Sequence, residues 1–386
     1  MTSSVDIAIF GAGLAGRLCA LQLARAGYAV ALVERDGPDG RGAAAHVAAA
    51  MLAPLAESAI SERSIVEMGI ASVPLWQELI ATLPEPVFFQ QDGTLVVWHA
   101  HDRSEATMLT SRIRAIAPPE AVRESLHSVD AGAIAELEPA LAGRFRQGIY
   151  IAGEGQLDNR MVLDALLDAL QAVGVQCHWN VGNADLDALP KLGVRARLVL
   201  DCRGMGAQRN WSDLRGVRGE VLRIHAPGVG LRRPVRMLHP RYPIYIAPKP
   251  DDVYVIGATE LESQDMSPMS VRSALELLSA AYSLHPAFGE ARILELNVQC
   301  RPTLPHHRPE IVADDLSLNG ERVPVVCVNG LYRHGFMIAP AVTRSACAVV
   351  QTWLDHGASA LPAMRDSVAW PDILRGKFFN DSQETT

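Results

Sequence analysis

The first forty residues constrain the fold more than any other part of the chain. Val5-Asp6-Ile7-Ala8-Ile9-Phe10 reads as a strand and runs straight into Gly11-Ala12-Gly13-Leu14-Ala15-Gly16, after which the pattern is helical until Gly27. The glycines have separate duties at that spacing. The first lets the backbone turn, the second lets a pyrophosphate come close to the chain, and the third lets the helix pack on the strand. The amides of Leu14, Ala15 and Gly16 then face an anion. A second strand, Tyr28 to Val33, ends on Glu34, whose carboxylate can accept hydrogen bonds from both ribose hydroxyls and repels a 2′-phosphate. Strand, glycine turn, helix and terminal acid in this order predict a dinucleotide site.

A chain of 386 residues, 49% hydrophobic, suits two domains or one large one and can bury a sizeable core. The net charge of −8 and the lack of any basic cluster with interleaved aromatics argue against nucleic acid as a partner. No apolar run reaches the ~18 residues of a membrane span. The N-terminus lacks a basic leader region, so a cytoplasmic location with no membrane partner is expected. Cys19, Cys177, Cys202, Cys300, Cys327 and Cys347 are scattered, most of them inside apolar patterns, and no CxxC pair occurs. That spacing argues against a disulfide reductase, a structural zinc site and a disulfide framework, and no metal site is expected.

Beyond Glu34 a glycine-rich loop, residues 37–42, leads into the small-residue run Ala43 to Ala53, which is either a plain alanine-rich helix or a segment built for close backbone approach. Helical patterns from Ser64 to Leu83 stop at Pro84 and Pro86, and Val87 to Trp98 reads as a hairpin around Gln91-Asp92-Gly93. Asp158 is placed to cap a helix over 160–173, and strands are predicted at 175–181 and 197–202. From Gly219 the pattern turns to β, with strands at 220–225, 243–247 and 253–258, the last two joined as a hairpin through Lys249-Pro250-Asp251-Asp252. A helix at 270–284, a strand at 293–301 and a strand at 324–328 follow. A final long helix is expected to begin at Pro340, a residue suited to a first turn.

These residues resemble the D-amino acid oxidase family of FAD-dependent oxidoreductases, above all its glycine oxidase branch of the thiamine-biosynthesis type. The resemblance spans nearly the whole chain. It is carried by the glycine triplet with Glu34, by residues 48–54, by Tyr245-Ile246-Ala247-Pro248-Lys249, by Gly257-Ala258-Thr259, by Arg301-Pro302, and by Gly330-Leu331-Tyr332-Arg333-His334-Gly335 before Ala339-Pro340. It implies an α/β fold: a Rossmann-like FAD-binding domain of the glutathione-reductase type with an inserted α+β substrate domain on a mainly antiparallel sheet. The implied FAD-binding parts are 1–85, 145–215 and 325–375, the substrate parts 86–144 and 216–324, with 376–386 a disordered tail.

The resemblance further implies FAD as cofactor, with a small amino acid (glycine, sarcosine or a D-amino acid) and dioxygen as substrates. The cofactor contacts it implies are Gly11, Gly13, Leu14, Ala15, Gly16, Glu34, Arg35, His46, Ala49, Ala50, Met51, Gly204, Gly330, Gly335, Phe336 and Met337. Tyr245 and Arg301 match residues that bind the substrate carboxylate, and Arg333 matches an arginine in the turn beneath the flavin. The sequence departs from the family pattern at Ala50, where glycine is usual, and at Leu304-Pro305-His306-His307 after Arg301-Pro302. His46 stands near a loop where some related amine oxidases attach flavin covalently, and homo-oligomerisation is left open.

The residues also speak for themselves. Alternation along a strand sends Ile244 and Ile246 one way and Tyr245 the other, and it groups Glu295, Asn297, Gln299 and Arg301 on one face, toward either solvent or a cavity. An arginine suits a carboxylate because its planar fork makes two parallel hydrogen bonds. No histidine among His46, His306, His307 and His334 has an evident carboxylate partner in sequence, so no base is assigned and hydride transfer from a neutral amine is expected. The fingerprint alone also permits a nicotinamide dehydrogenase, a flavin monooxygenase, a quinone-linked dehydrogenase or a module that keeps FAD structurally.

Overall fold

The computed structural model describes residues 3–183, 185–240, 243–318 and 321–379. Its first sheet has seven strands, in the order Leu374–Arg375, Glu310–Leu318, Glu321–Asn329, Val194–Asp201, Ser3–Phe10, Val30–Val33, Gln176–His178. The pairs built on Ser3–Phe10 are parallel, as the βαβ reading of the N-terminus requires. A near-continuous apolar run is what a parallel strand buried on both faces demands. Accordingly Ile7 and Ile9 join a core under the helices Leu14–Arg25 and Gly335–His356, while Ala8 and Phe10 join one on the other face with Leu186 and Leu189.

The second sheet has eight strands, in the order Arg292–Thr303, Arg215–His225, Val253–Gly257, Ile244–Lys249, Val235–Leu238, Thr94–Trp98, Gln147–Ile151, Leu126–Asp130. All its pairs are antiparallel except Val235–Leu238 with Thr94–Trp98. Alternation sorts its residues cleanly. Leu222, Ile246 and Ile256 pack under the helix Val271–Leu284, and their neighbours Val221, Ala247 and Val255 face the opposite way, toward Ala49. The hairpin between Ile244–Lys249 and Val253–Gly257 forms as expected.

Several expectations are corrected. Phe89–Gln90 and Thr94–Trp98 do not pair with each other. The first joins Gly155–Leu157 in a three-stranded sheet and the second enters the eight-stranded one, so the turn at Gln91-Asp92-Gly93 switches sheets. Gln147–Ile151, expected with the nucleotide-binding part, lies in the second sheet because Ile149 and Ile151 pack with Val96 and Ile113. Glu310–Leu318, expected with the substrate part, lies in the first, where Ile311 and Ala313 reach its core. The tail expected from 376 is packed through Phe379: Phe379 is buried and Phe378 meets Trp353 edge-on at 4.9 Å. The remainder of that tail lies outside the described residues. No described helix is long and apolar enough to cross a membrane.

The last long helix starts at Gly335 and takes Pro340 inside it. A proline there supplies no N–H to the carbonyl four residues back, that of Phe336. Trp76, fully buried on the helix Arg63–Ile80, donates its indole N–H to that oxygen at 2.7 Å. Trp76→Phe should therefore leave a buried carbonyl unpaired and cost about 1–3 kcal/mol. In a Pro340→Ala background, where a helical N–H returns, the same substitution should cost less. Urea unfolding of the four proteins measures this coupling, and strict additivity would refute it.

Candidate active site

A cavity of about 920 Å³ is lined by residues of both large sheets, Phe10 and Val33 from the first and Gly219, Val221, Tyr245 and Arg301 from the second, and by the glycine turn that begins at Gly11. At its first end the helix Leu14–Arg25 opens from Gly13 with no side-chain cap, so its leading amides are available to an anion. A methyl group at Gly11 would collide with Cys202 O, and one at Gly16 with Gly11 O; at Gly13 it would meet only Ala43 Cβ, at 3.6 Å. Protein backbone therefore fills the space beside the first and third glycines and leaves the second open, which is how a pyrophosphate cradle must be built. Glu34 is oriented by two amides, Ala12 N–H donating to Oε2 at 2.5 Å and Asp36 N–H to Oε1 at 3.1 Å.

One residue that the sequence reading passed over braces this turn. Arg17 is fully buried and donates to three backbone carbonyls, those of Ala12 and Leu163 at 2.7 Å and that of Pro38 at 2.6 Å. Burial holds its pKa below the ordinary arginine value.

In the middle of the cavity the alanine-rich run is helical only over Ala44–Val47. It then straightens, and Met51–Leu52 pairs with Gly155–Leu157. Small side chains here serve close approach: Ala49 packs against Val221, Ala247 and Val255. Ala50 holds φ 52°, a left-handed conformation that a glycine adopts freely and that costs another residue roughly 1–2 kcal/mol. Opposite, Gly335, Phe336 and Met337 bring the start of the last helix to the cavity wall, more than a turn earlier than expected from Pro340.

The far end is dense in charge. Glu57 is buried against Arg236, with Arg333 Nε at 3.1 Å and His334 Nδ1 at 3.5 Å. Burial alone would raise its pKa, but the guanidiniums of Arg333 and Arg236 hold it well below the carboxylate range. Arg333 also pairs with Glu260 at 2.7 Å, and Tyr332 donates to Glu260 at 2.5 Å. Arg301 differs: its guanidinium is held only by the carbonyls of Thr259 at 3.1 Å and Arg218 at 3.4 Å, with no carboxylate in ion-pair reach among the described residues. Burial lowers its pKa and raises that of Tyr245. Glycines make room for both groups. A side chain on Gly257, directly across the strand pair from Tyr245, would strike its ring, and one on Gly219 would strike the Arg301 guanidinium.

Of the sequence-selected residues, Gly11, Gly13, Leu14, Ala15, Glu34, Arg35, Ala49, Ala50, Met51, Gly204, Tyr245, Arg301, Arg333, Gly335, Phe336 and Met337 line this one cavity. Three do not. Gly16 serves helix–strand packing, and Gly330 turns the chain at φ +77° beside Leu304. His46 is drawn out of the lining because Asn159 takes the carbonyls of Ala45 and His46, fixing that turn against the helix Asn159–Ala172. Glu57, Glu260, Arg236, Lys249 and the two gap-making glycines carry no local signature of a site. Only Lys249 and Gly257 of these lie inside motifs that carry the family resemblance.

A molecule with two large sheets, a dinucleotide turn at one end of the cavity between them and an arginine–tyrosine pair at the other is a dinucleotide-dependent oxidoreductase in build. The chain matches the model of the DAO family, FAD dependent oxidoreductases, over residues 6–347 and belongs to that family, with FAD as cofactor. It is 40% identical to a Rhizobium etli protein assigned to thiamine biosynthesis as the oxidoreductase ThiO, across 87% of this chain and 93% of that one. It is 26% identical to the glycine oxidase of Geobacillus kaustophilus across 88% and 91%. Among solved structures, that glycine oxidase superposes with a TM-score of 0.74 at 22% identity, covering 91% of this chain and 95% of the other. Iminodiacetate oxidase from Chelativorans superposes at 0.71 and 21%, covering 90% and 95%. At such identities the structural likeness speaks for the fold.

The open space at Gly13 makes a clean test of the cofactor site. Gly13→Val should fold, since a Cβ there makes only an ordinary contact with Ala43 Cβ at 3.6 Å, yet purify without flavin absorbance. A yellow variant would refute the assignment.

Two buried groups near Glu57 should tilt stability with pH in opposite senses. Burial holds His334 at about 4 against an ordinary 6.5, so the unfolded chain takes up a proton that the folded one refuses, and stability is lost as pH falls through that interval. Burial raises Glu154 from 4.5 to about 7, so the folded chain keeps a proton that the unfolded one releases, and stability is lost as pH rises through that interval. Relative to the unsubstituted protein, His334→Asn should tilt stability downward with rising pH between about 4.5 and 6.5, and Glu154→Gln upward. Urea midpoints across that window measure both slopes, and identical profiles in all three proteins would contradict the scheme.

Proposed function

We propose that this chain oxidises the Cα–N bond of a small amino acid, glycine or an N-methylated or D-configured relative, to an imine. Water then gives a 2-oxo acid and ammonia or amine. The observation that carries this reading is the charge balance at the substrate end. Arg236 and Arg333 are matched by Glu57 and Glu260, and the third guanidinium, Arg301, is left with carbonyl partners only. A half-buried cation satisfied by neutral oxygens still lacks a counter-charge, and a substrate carboxylate would supply one in the bidentate geometry that guanidinium favours. The names of the relatives, glycine oxidase among them, support the same class of substrate.

Arg301 would bind the carboxylate and Tyr245, on the adjoining cavity wall, would donate its hydroxyl to it, fixing the orientation of Cα. Bound FAD supplies the two-electron acceptor for the Cα hydride, and dioxygen restores it with release of hydrogen peroxide. Glu57 and Glu260 are each tied to guanidiniums, so neither is free to act as a base. The amine must then arrive neutral, its proton lost to water.

Loss of a charge-assisted buried pair costs ~2–5 kcal/mol, so Arg301→Ala should lower kcat/KM for carboxylate substrates by ~30-fold or more. Arg301→Lys should recover only part, having charge without the fork. The assay mixes the protein anaerobically with glycine, sarcosine and several D-amino acids, follows flavin bleaching, then admits air and measures peroxide. Bleaching without peroxide would indicate a dehydrogenase with another acceptor. Bleaching by NADH alone would indicate a monooxygenase or reductase. An unchanged kcat/KM in Arg301→Ala would remove the carboxylate clamp.

A further inference from the structure

The strand Ile244–Lys249 places Tyr245, Ala247 and Lys249 on one face, two residues apart. The first lines the substrate end of the cavity and the second packs against Ala49. The third is almost fully buried, and its ammonium donates to Ala49 O at 2.9 Å, Leu157 O at 2.8 Å and Gln156 Oε1 at 3.1 Å. Only the protonated amine has three hydrogens for three acceptors. None of those acceptors is charged. The nearest carboxylate, Asp158, accepts from the amides of Arg160 and Met161 and faces Arg223 at 3.3 Å, so it is committed elsewhere.

Ala49 is the residue just before the left-handed Ala50, and Ala49, Ala50 and Met51 all form cavity wall. Left to itself an alanine at φ 52° would relax toward the right-handed region. Two bonds oppose that relaxation: Leu157 N–H donates to Ala50 O at 3.1 Å, and Lys249 grips Ala49 O. Lys249 thus joins three separate pieces of chain, the strand that carries Tyr245, the wall segment and the strand Gly155–Leu157.

We propose that Lys249 is the positioning residue that fixes the 49–51 wall for bound FAD relative to the strand carrying Tyr245, and that its uncompensated charge favours the reduced, more negative cofactor. The proposal rests on FAD occupying this cavity. Burial draws the ammonium down to about 7, consistent with a cation that has only carbonyl support.

The test compares the unsubstituted holoenzyme with Lys249→Met, which keeps the length and apolar stem but removes the donors and the charge. Three quantities are measured: the FAD dissociation constant of the apoprotein by flavin fluorescence, the visible circular dichroism of the bound flavin, and its midpoint potential. The dissociation constant should rise about tenfold or more, the visible dichroism should change at saturating FAD, and the potential should become more negative. A merely structural lysine would lower the melting temperature of the apoprotein and leave the dichroism and potential of the loaded enzyme unmoved; that result overturns the proposal. Should the methionine protein fail to fold, Lys249→Arg decides. It keeps the charge but cannot hold all three oxygens in place, so the potential should stay and the dissociation constant rise about threefold. A dissociation constant within about twofold of the unsubstituted protein would overturn the positioning role. Failure of the unsubstituted protein to bind FAD would instead fall on the cofactor site itself.

Discussion

The contact between Ala49 and the face made by Val221, Ala247 and Val255 is where the wall segment that follows the N-terminal βαβ unit meets the second sheet along the cavity. Its closeness depends on small side chains from both partners. A leucine at either alanine would overpack this contact and push the wall segment away, disturbing the bond from Lys249 to Ala49 O at 2.9 Å. The glycine turn at one end of the cavity and the Tyr245–Arg301 pair at the other are set apart by that stacking. A dinucleotide cofactor and a small substrate need such a fixed span, because a reacting carbon misplaced by an ångström forfeits most of the advantage of binding.

Charge follows the same axis. Arg17 lies beneath the glycine turn, Lys249 behind the middle wall and Arg301 at the far end; the first two are buried, the third half-buried, and all have carbonyl oxygens as hydrogen-bond partners. Carbonyls satisfy the N–H groups but bring no counter-charge into a poorly polarisable interior. Elsewhere the protein pairs its buried arginines with acids, as Arg218 with Glu220 and Arg203 with Asp201. The difference is functional in kind: the unmatched cations gather along the cavity that receives a pyrophosphate and, on our proposal, a carboxylate.

Much of this was legible in the chain. The N-terminal turn, the hairpin bearing Tyr245, the Asp158 cap and the helix at 270–284 are local features whose spacing carries their cause, and the structure has each of them. Two misplacements have one origin. Pro340 reads as a first-turn residue until Trp76 satisfies the carbonyl that it leaves free, and Gln91-Asp92-Gly93 reads as a hairpin until its flanks find other strands. Both are decided by partners far away in sequence. The same holds for the charged cluster, since Glu57 is a plain helical glutamate until Arg236, Arg333 and His334 close on it. Alternation did place Tyr245 and Arg301 on faces of their own, but whether those faces met water or a cavity had no local sign.

The tying up of Glu57 and Glu260 has a chemical consequence that no single residue displays. A carboxylate held by two cations is a weak base, and His334, neutral beside Glu57 because burial outweighs that attraction, is hydrogen-bond partner to Ser61 at 3.2 Å rather than to anything in the cavity. On the proposed function, proton removal from a substrate ammonium would therefore be left to solvent before binding is complete. On the proposed function such a site would select the neutral amine: a carboxylate would be drawn to Arg301, while an ammonium beside Arg301, Arg333 and Arg236 would meet three positive groups against two negative ones. On that proposal the electrostatic surplus that draws the carboxylate would disfavour the protonated amine in the same act, so one unmatched guanidinium would set both the orientation and the ionisation state of what can react.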